Sequence, residues 1–193
     1  DKLKELSYSE NKKRIFRDNS NKDLSTIRKK IALKIEDKLI LNLKKLGIPN
    51  VRFKIVFEEC EPTINGIDKV SFMFSANPGL PLAPLAETAS GGEKSRVLLA
   101  IKSIFSASDP ANLLIFDEID SGVSGKVSSF VANLLREISD HRQVFCVTHQ
   151  PLIAAFADNH FSLKKTVIAG CTKSIVKNLK ETPDRQRELA LLA

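Results

Sequence analysis

The stretch ANLLIFDEID, Ala111 to Asp120, decides the fold. Leu113, Leu114, Ile115 and Phe116 form an unbroken apolar run that ends abruptly in Asp117 and Glu118. Such a run predicts a strand buried on both faces of a parallel sheet, because an alternating strand would show polar residues at every second position. Ligands of α/β sheets bind at the C-terminal strand ends, where these two carboxylates fall. Adjacent strand residues point opposite ways, so one acid can hold a hydrated Mg²⁺ while the other addresses water or a phosphate. That division of labour is what phosphoanhydride hydrolysis requires.

Further along, a helix is predicted from Gly125 to about Ser139, followed by QVFCVTHQ, Gln143 to Gln150, a second buried strand ending on Thr148 and His149. Neighbouring strands of a βαβ unit bring their ends to one sheet edge, so His149 and Glu118 are expected within reach of one ligand. Upstream, TASGGEKSRVLLA, Thr88 to Ala100, runs from small polar residues through Gly91 and Gly92 into a helix reaching about Phe105. A helix start offers unpaired N–H groups and partial positive charge, and glycine lets that backbone approach an anion without interference from a Cβ.

The rest of the chain frames this site. The formal charge of +7 is unevenly placed: residues 1–46 carry 14 Lys and Arg against 7 Asp and Glu, while residues 47–193 carry 16 of each sign. Apolar residues at 24, 27, 31, 35, 39, 43 and 46 make one narrow stripe on a long charged helix, and Gly47-Ile48-Pro49 should end it. A narrow stripe suits one strand of a coiled coil. The period then changes to two: Val51, Phe53, Ile55 and Phe57, and again Val70, Phe72 and Phe74, predict an antiparallel strand pair around the turn-rich PTINGID. NPGLPLAPLAE, Asn77 to Glu87, holds three prolines and a glycine and is expected to be a connecting loop. Cys60, Cys146 and Cys171 are too scattered for a disulfide framework or a zinc site. No apolar run is long enough to cross a bilayer and no secretory leader opens the sequence, so a cytoplasmic location is expected.

Together, SGGE, LLIFDE and VTH resemble the signature, Walker B and switch-histidine motifs of the ATP-binding-cassette ATPases. ASGGEKSRVLLAIKSIF, LIFDEIDSGVSGKV and VTHQPLIAAFADNHFSLKK are similar to the RecN family, bacterial DNA-break-repair ATPases of the SMC type. The resemblance runs from about Val51 to the end and makes the basic helix the returning arm of a coiled coil. It implies an α/β ATPase head of the cassette type, C-terminal lobe, with parallel strands and flanking helices. The division is then 1–46, basic coiled-coil arm, and 47–193, lobe. By the same resemblance Asp117 holds Mg²⁺ through water, Glu118 activates the attacking water and His149 senses the γ-phosphate of ATP. Ser90, Gly91, Gly92 and Glu93 form the signature that closes over a nucleotide held by a second head, and Asp120 and Ser121 cross the interface between heads. Implied partners are a second head, as a homodimer, and DNA in the nucleoid, with no membrane. Lys94 departs from the apolar residue usual at its position and should face outward.

No G-x-x-x-x-G-K-[ST] occurs: the only Gly-Lys pair, Gly125-Lys126, is followed by Val127 and has Asp120 where the first glycine should stand. The phosphate loop is therefore expected on an N-terminal half of the head, and this chain alone is expected to hydrolyse no ATP. Two other readings stay open. A transporter nucleotide-binding subunit would share the motifs, but there a proline normally follows the DE pair, where this chain has Ile119. A non-catalytic structural or binding lobe would need none of the chemistry.

Overall fold

A computed structural model describes residues 2–88, 91–106, 110–123, 125–168 and 171–193. The chain divides into two compact units, one of Asp1–Leu41 with Asn50–Ala89, the other of Asn42–Pro49 with Ser90–Ala193. These boundaries follow packing rather than the arm-and-lobe division by role, since the strands after residue 50 group with the long helix.

In the first unit, helix α1 (Lys2–Lys45, completed by its last turn in the second unit) begins far upstream of the apolar stripe. Its N-terminal half has almost no buried side chain, and Leu3, Leu6, Ile15 and Phe16 are exposed. Strands β1 (Arg52–Thr63) and β2 (Gly66–Ser75) pair antiparallel, with Phe53 opposite Phe74, Ile55 opposite Phe72 and Phe57 opposite Val70. The pairing reaches closer to the turn than the sequence suggested. Only Ile64 and Asn65 separate the strands, and Thr63 Oγ1 accepts the Asn65 N–H at 3.1 Å and donates to the Gly66 carbonyl at 3.0 Å. Gly66 has φ +100°, and a Cβ there would lie 3.1 Å from Leu24 Cδ2, so the turn needs glycine on two counts. The expected loop Asn77–Glu87 is partly ordered: β3 (Ala83–Pro84) pairs with β2, and α2 (Leu85–Thr88) follows. Proline is tolerated in β3 because it is an edge strand.

Polar contacts hold the hairpin on α1. Ser25 Oγ donates to Asp68 Oδ1 at 2.6 Å, Arg28 Nη1 lies 3.3 Å from Asp68 Oδ2, and the Ile55 N–H donates to Glu36 Oε1 at 2.7 Å. The helix face turned inward thus includes Ser25, Arg28, Ala32 and Leu39, while the predicted stripe residues Leu24, Ile27 and Ile31 remain exposed. Because 3.6 residues make a turn, the burial stripe drifts around a helix of this length and rejoins the predicted one only at Leu39.

In the second unit, α1 ends as expected. Gly47, φ +83°, donates to the Lys44 carbonyl at 3.2 Å, and the Ile48 N–H reaches Leu43 O at 3.0 Å, the paired bonds of a Schellman cap. Helix α3 (Gly91–Ile104) leads to strand β4 (Leu113–Phe116), helix α4 (Lys126–Ser139) and strand β5 (Gln143–Cys146), which pairs parallel to β4. Short helix α5 (Pro151–Ala155), an antiparallel hairpin β6 (Phe161–Ile168) and β7 (Cys171–Asn178), and helix α6 (Thr182–Leu192) complete it.

Val97, Leu99 and Ala100 of α3, Val131, Leu134 and Ile138 of α4, and Leu114 and Phe116 of β4 are buried together with Ile119. Each fully buried aliphatic side chain contributes roughly 1.5–3 kcal/mol, so this layer anchors the strand ends. The two strands are not buried on both faces as their apolar runs suggested. Leu114 and Phe116 point inward, but Leu113, Ile115, Phe145 and Val147 are exposed, Ile115 at 65%. Among the described residues nothing covers that second face, and this is why an unbroken apolar run shows an alternating burial pattern.

Candidate functional site

Parallel pairing of β4 with β5 sets Phe116 opposite Cys146, and the Val147 N–H donates to the Phe116 carbonyl at 2.9 Å. Asp117-Glu118 and Thr148-His149 therefore leave the sheet side by side at one edge. The start of α3 comes to the same place: Ser95 Oγ, in its first turns, donates to the Asp117 carbonyl at 2.8 Å.

Asp117 is exposed, and its Oδ1 accepts the Glu118 N–H at 2.9 Å, leaving Oδ2 at the solvent edge. Glu118 is also exposed and is the one described non-glycine residue with positive φ, +56°. A left-handed conformation costs a residue with a Cβ roughly 1–2 kcal/mol, and here it turns the chain sharply out of the strand. The turn is closed by the Ser121 N–H donating to the Glu118 carbonyl at 3.2 Å.

Gly91 and Gly92 have no positive φ, so their glycine character serves close approach rather than backbone freedom. A Cβ on Gly91 would lie 2.7 Å from Glu118 Oε2, and one on Gly92 would lie 3.0 Å from Ser121 Cβ and 3.4 Å from the Glu118 carbonyl. The group nearest the bare side of Gly91 in this chain is thus its own Glu118 carboxylate. Glu93 is half-buried one residue further along α3, and Lys94 is exposed as expected. Ser90 lies outside the described residues.

Arg96 of α3 is folded under the loop that follows the two acids. It is 8% exposed, and its Nη1 donates to the Ser121 carbonyl at 2.7 Å. Burial lowers its pKa, opposed in part by the charge of Glu93. Arg96 thereby ties α3 to the loop after β4.

Expected to cross toward a second head, Asp120 is 3% exposed and turned inward. Its Oδ2 accepts the Thr148 hydroxyl, the His149 backbone N–H at 2.8 Å and His149 Nδ1 at 3.1 Å. The imidazole itself is 70% exposed, with Nε2 directed away from Asp120 and 3.5 Å from Gln150 Nε2. Ser121 is exposed, its carbonyl held by Arg96. Below this edge, burial, with the charges of Asp120 and Asp117, pushes the Cys146 thiol up to about 12. The link from Asp120 to His149 has no spacing signature in the sequence, because it joins two loops 29 residues apart.

No group of three or more His, Cys, Asp or Glu that could cage a metal occurs among the described residues. The donor set fits Mg²⁺ all the same, because that ion keeps most of its waters and is usually held by one or two carboxylates together with phosphate oxygens. Asp117 supplies such a carboxylate at the exposed edge.

Residues 4–155 match the protein family described as "AAA domain, putative AbiEii toxin, Type IV TA system". The chain is 45% identical over 184 residues to the DNA repair protein RecN of Synechocystis sp., covering 88% of this chain and 32% of that protein. It is 38% identical over 186 residues to RecN of Halalkalibacterium halodurans, covering 94% and 33%, and 41% identical over 175 residues to RecN of Bacillus subtilis, covering 82% and 30%. The chain thus spans about a third of the length of these relatives. In fold it is similar to the Smc head domain with a coiled coil and joint from Pyrococcus yayanosii, with TM-score 0.66, 22% identity, and coverage of 98% of this chain and 35% of that one. A second Smc head, from Pyrococcus furiosus, gives TM-score 0.61 at 21% identity, over 98% and 46%.

Proposed function

We propose, from the premise that the chain belongs to the AAA-domain family it matches and is a RecN/SMC-like ATPase segment, that it forms the C-terminal lobe of a head hydrolysing ATP between two heads in DNA double-strand-break repair. The observation that carries this reading is the convergence of three motifs on one sheet edge: the bare start of α3, the carboxylate pair after β4 and His149 after β5.

In this reading Asp117 binds Mg²⁺ through water, and the ion, when bound, offsets phosphate charge. Glu118 takes a proton from the attacking water, a role suited to an exposed carboxylate at a strand end. His149 presents Nε2 to the γ-phosphate. Gly91, Gly92 and Glu93, with Ser90, close over the nucleotide of the opposing head, and Ser121, exposed on the loop after β4, faces the same interface. Gly91 can serve there only when Glu118 swings off the helix start, so closing the heads and aiming the base become one motion.

The Walker A-bearing half of the head would cover the open face of β4 and β5, where Ile115 and Val147 are exposed. DNA is the partner for the basic arm, and the protein works in the cytoplasm at the nucleoid. The test is ATP binding and turnover by the 193-residue chain alone and after adding the N-terminal half. Mg²⁺-dependent turnover only in the mixture is expected. Turnover by the chain alone would sink the two-half arrangement, and none in a soluble, assembled mixture would favour the non-catalytic lobe that the missing G-x-x-x-x-G-K-[ST] motif leaves open.

A further inference from the structure

Nothing in the proposed chemistry requires a buried acid behind the histidine, yet one is there. Asp120 is 3% exposed and gathers donors from two consecutive residues of the next strand's loop: the Thr148 hydroxyl, the His149 N–H and the His149 ring. An ionised carboxylate only accepts hydrogen bonds. His149 Nδ1, 3.1 Å from Oδ2, must therefore carry a proton. Gln150 gives the same answer from the other side of the ring. Its Nε2 donates to the Val123 carbonyl at 3.2 Å, which fixes the amide orientation, and the same nitrogen lies 3.5 Å from His149 Nε2. An amide nitrogen is a donor only, so in the neutral ring Nε2 is the acceptor.

We infer that Asp120 is a positioning residue, a buried carboxylate that locks His149 in the Nδ1–H form and aims Nε2 out of the sheet edge toward the anion it is to sense. This rests on the reading of His149 as the phosphate-sensing group and deepens it. An imidazole free in water favours the Nε2–H form, so the lock has work to do. Because a bare Nε2 lone pair would repel an anion, the ring binds phosphate once Nε2 takes up a proton from solvent or from the phosphate itself; Nδ1–H then stays on Asp120 and the new Nε2–H is given to the phosphate. The Thr148 hydroxyl and the His149 N–H, donated to the same oxygen, tie the carboxylate to the loop that carries the ring.

The test is the ¹⁵N spectrum of the imidazoles in histidine-labelled complete protein, without nucleotide, with His141 and His160 assigned by substitution. Wild type should show a pyrrole-type Nδ1 and a pyridine-type Nε2 for His149 at a pH where the ring is neutral. Asp120→Ala should reverse the pattern. Thr148→Val removes a different donor from the same carboxylate and should leave the tautomer as it is, which a merely loop-bracing role for Asp120 would not distinguish. In the same protein Asp120→Ala should lower kcat for ATP by ~10-fold or more with little change in KM. An Nε2–H majority in wild type overturns the inference without need of any variant, as does a folded Asp120→Ala that keeps the Nδ1–H pattern. Should the protein bind no ATP while the tautomer still follows Asp120, the positioning stands and the ATPase reading falls.

Discussion

At the residue scale, Glu118 carries three demands at once. It follows an acid it should not duplicate, it adopts φ +56°, and its carboxylate lies where a Cβ on Gly91 would be. Glu118→Gln keeps shape and backbone while removing the base. In the complete protein, hydrolysis should fall by ~10²-fold or more with ATP still bound, as measured by turnover alongside nucleotide binding. Loss of ATP binding with unchanged turnover per bound nucleotide would instead exchange the roles of the two acids. The glycines separate in another way. The neighbour of Gly91 is the far end of a flexible side chain, so Gly91→Ala should shift the melt by less than about 1 kcal/mol. Gly92 abuts Ser121 Cβ and the Glu118 backbone, neither of which can swing aside, so Gly92→Ala should cost about 1–3 kcal/mol. Equal melts for the two variants would contradict this packing.

The same residues show what a sequence can and cannot disclose. The shared edge of Asp117, Glu118 and His149 was legible because an apolar run that stops at a charge announces a strand end, and strand ends in βαβ units gather at one edge. The partner of Asp120 was not legible, because it depends on how the chain turns after a left-handed residue. The place of Arg96 was not legible, because a charged side chain in the first turns of a helix gives no sign of being folded under the next loop.

At the scale of elements, the hairpin and helix of the first unit are joined through one acid. Asp68, its side chain 4% exposed, meets Ser25 and Arg28 on α1. Asp68→Ala leaves a partly buried arginine and a hydroxyl without their acceptor, and denaturant unfolding should register a loss of about 1–3 kcal/mol. No such pairing can be read from an alternating strand and a helical stripe, which is why the stripe was expected at 24, 27 and 31 while the buried face runs through 25, 28 and 32. The hairpin of β6 and β7 escaped notice for a related reason: Lys and Thr interleave with Val and Ile, and nearly every side chain is exposed. In the second unit the open face of β4 and β5 makes a different kind of claim. Ile115→Glu places a charge on a face that only a partner would bury, so the chain's own melt should hold within about 0.5 kcal/mol. Co-purification with the Walker A-bearing half should be lost. Undiminished assembly would show that this half docks elsewhere.

At the scale of the whole molecule, the proposal requires that each nucleotide be read by two heads, the Walker B acid from one and the signature from the other. Ser90→Arg puts a cation in the signature, and Glu118→Gln disables the base. Each complete protein alone should be inactive, the first for want of head closure and the second for want of a base. In a mixed dimer the lesions do not fall evenly. The arginine-bearing head keeps its own Glu118 and meets an intact signature from its partner, so one composite site is whole. The other composite site collects both defects. Mixing should therefore restore turnover from one of the two sites, rising with the fraction of heterodimer, provided that two nucleotides are not both needed to hold the heads together. That proviso is itself read in the experiment: ATP-dependent light scattering reports whether the mixed dimer closes, and turnover per closed dimer reports whether the whole site works. A closed mixed dimer without turnover would place the signature and the base of one and the same chain in one site, contrary to the proposal. Turnover restored in proportion to heterodimer would mean that the bare start of α3 acts on a phosphate held by another chain, and that the Glu118 carboxylate found there is what it exchanges on closing.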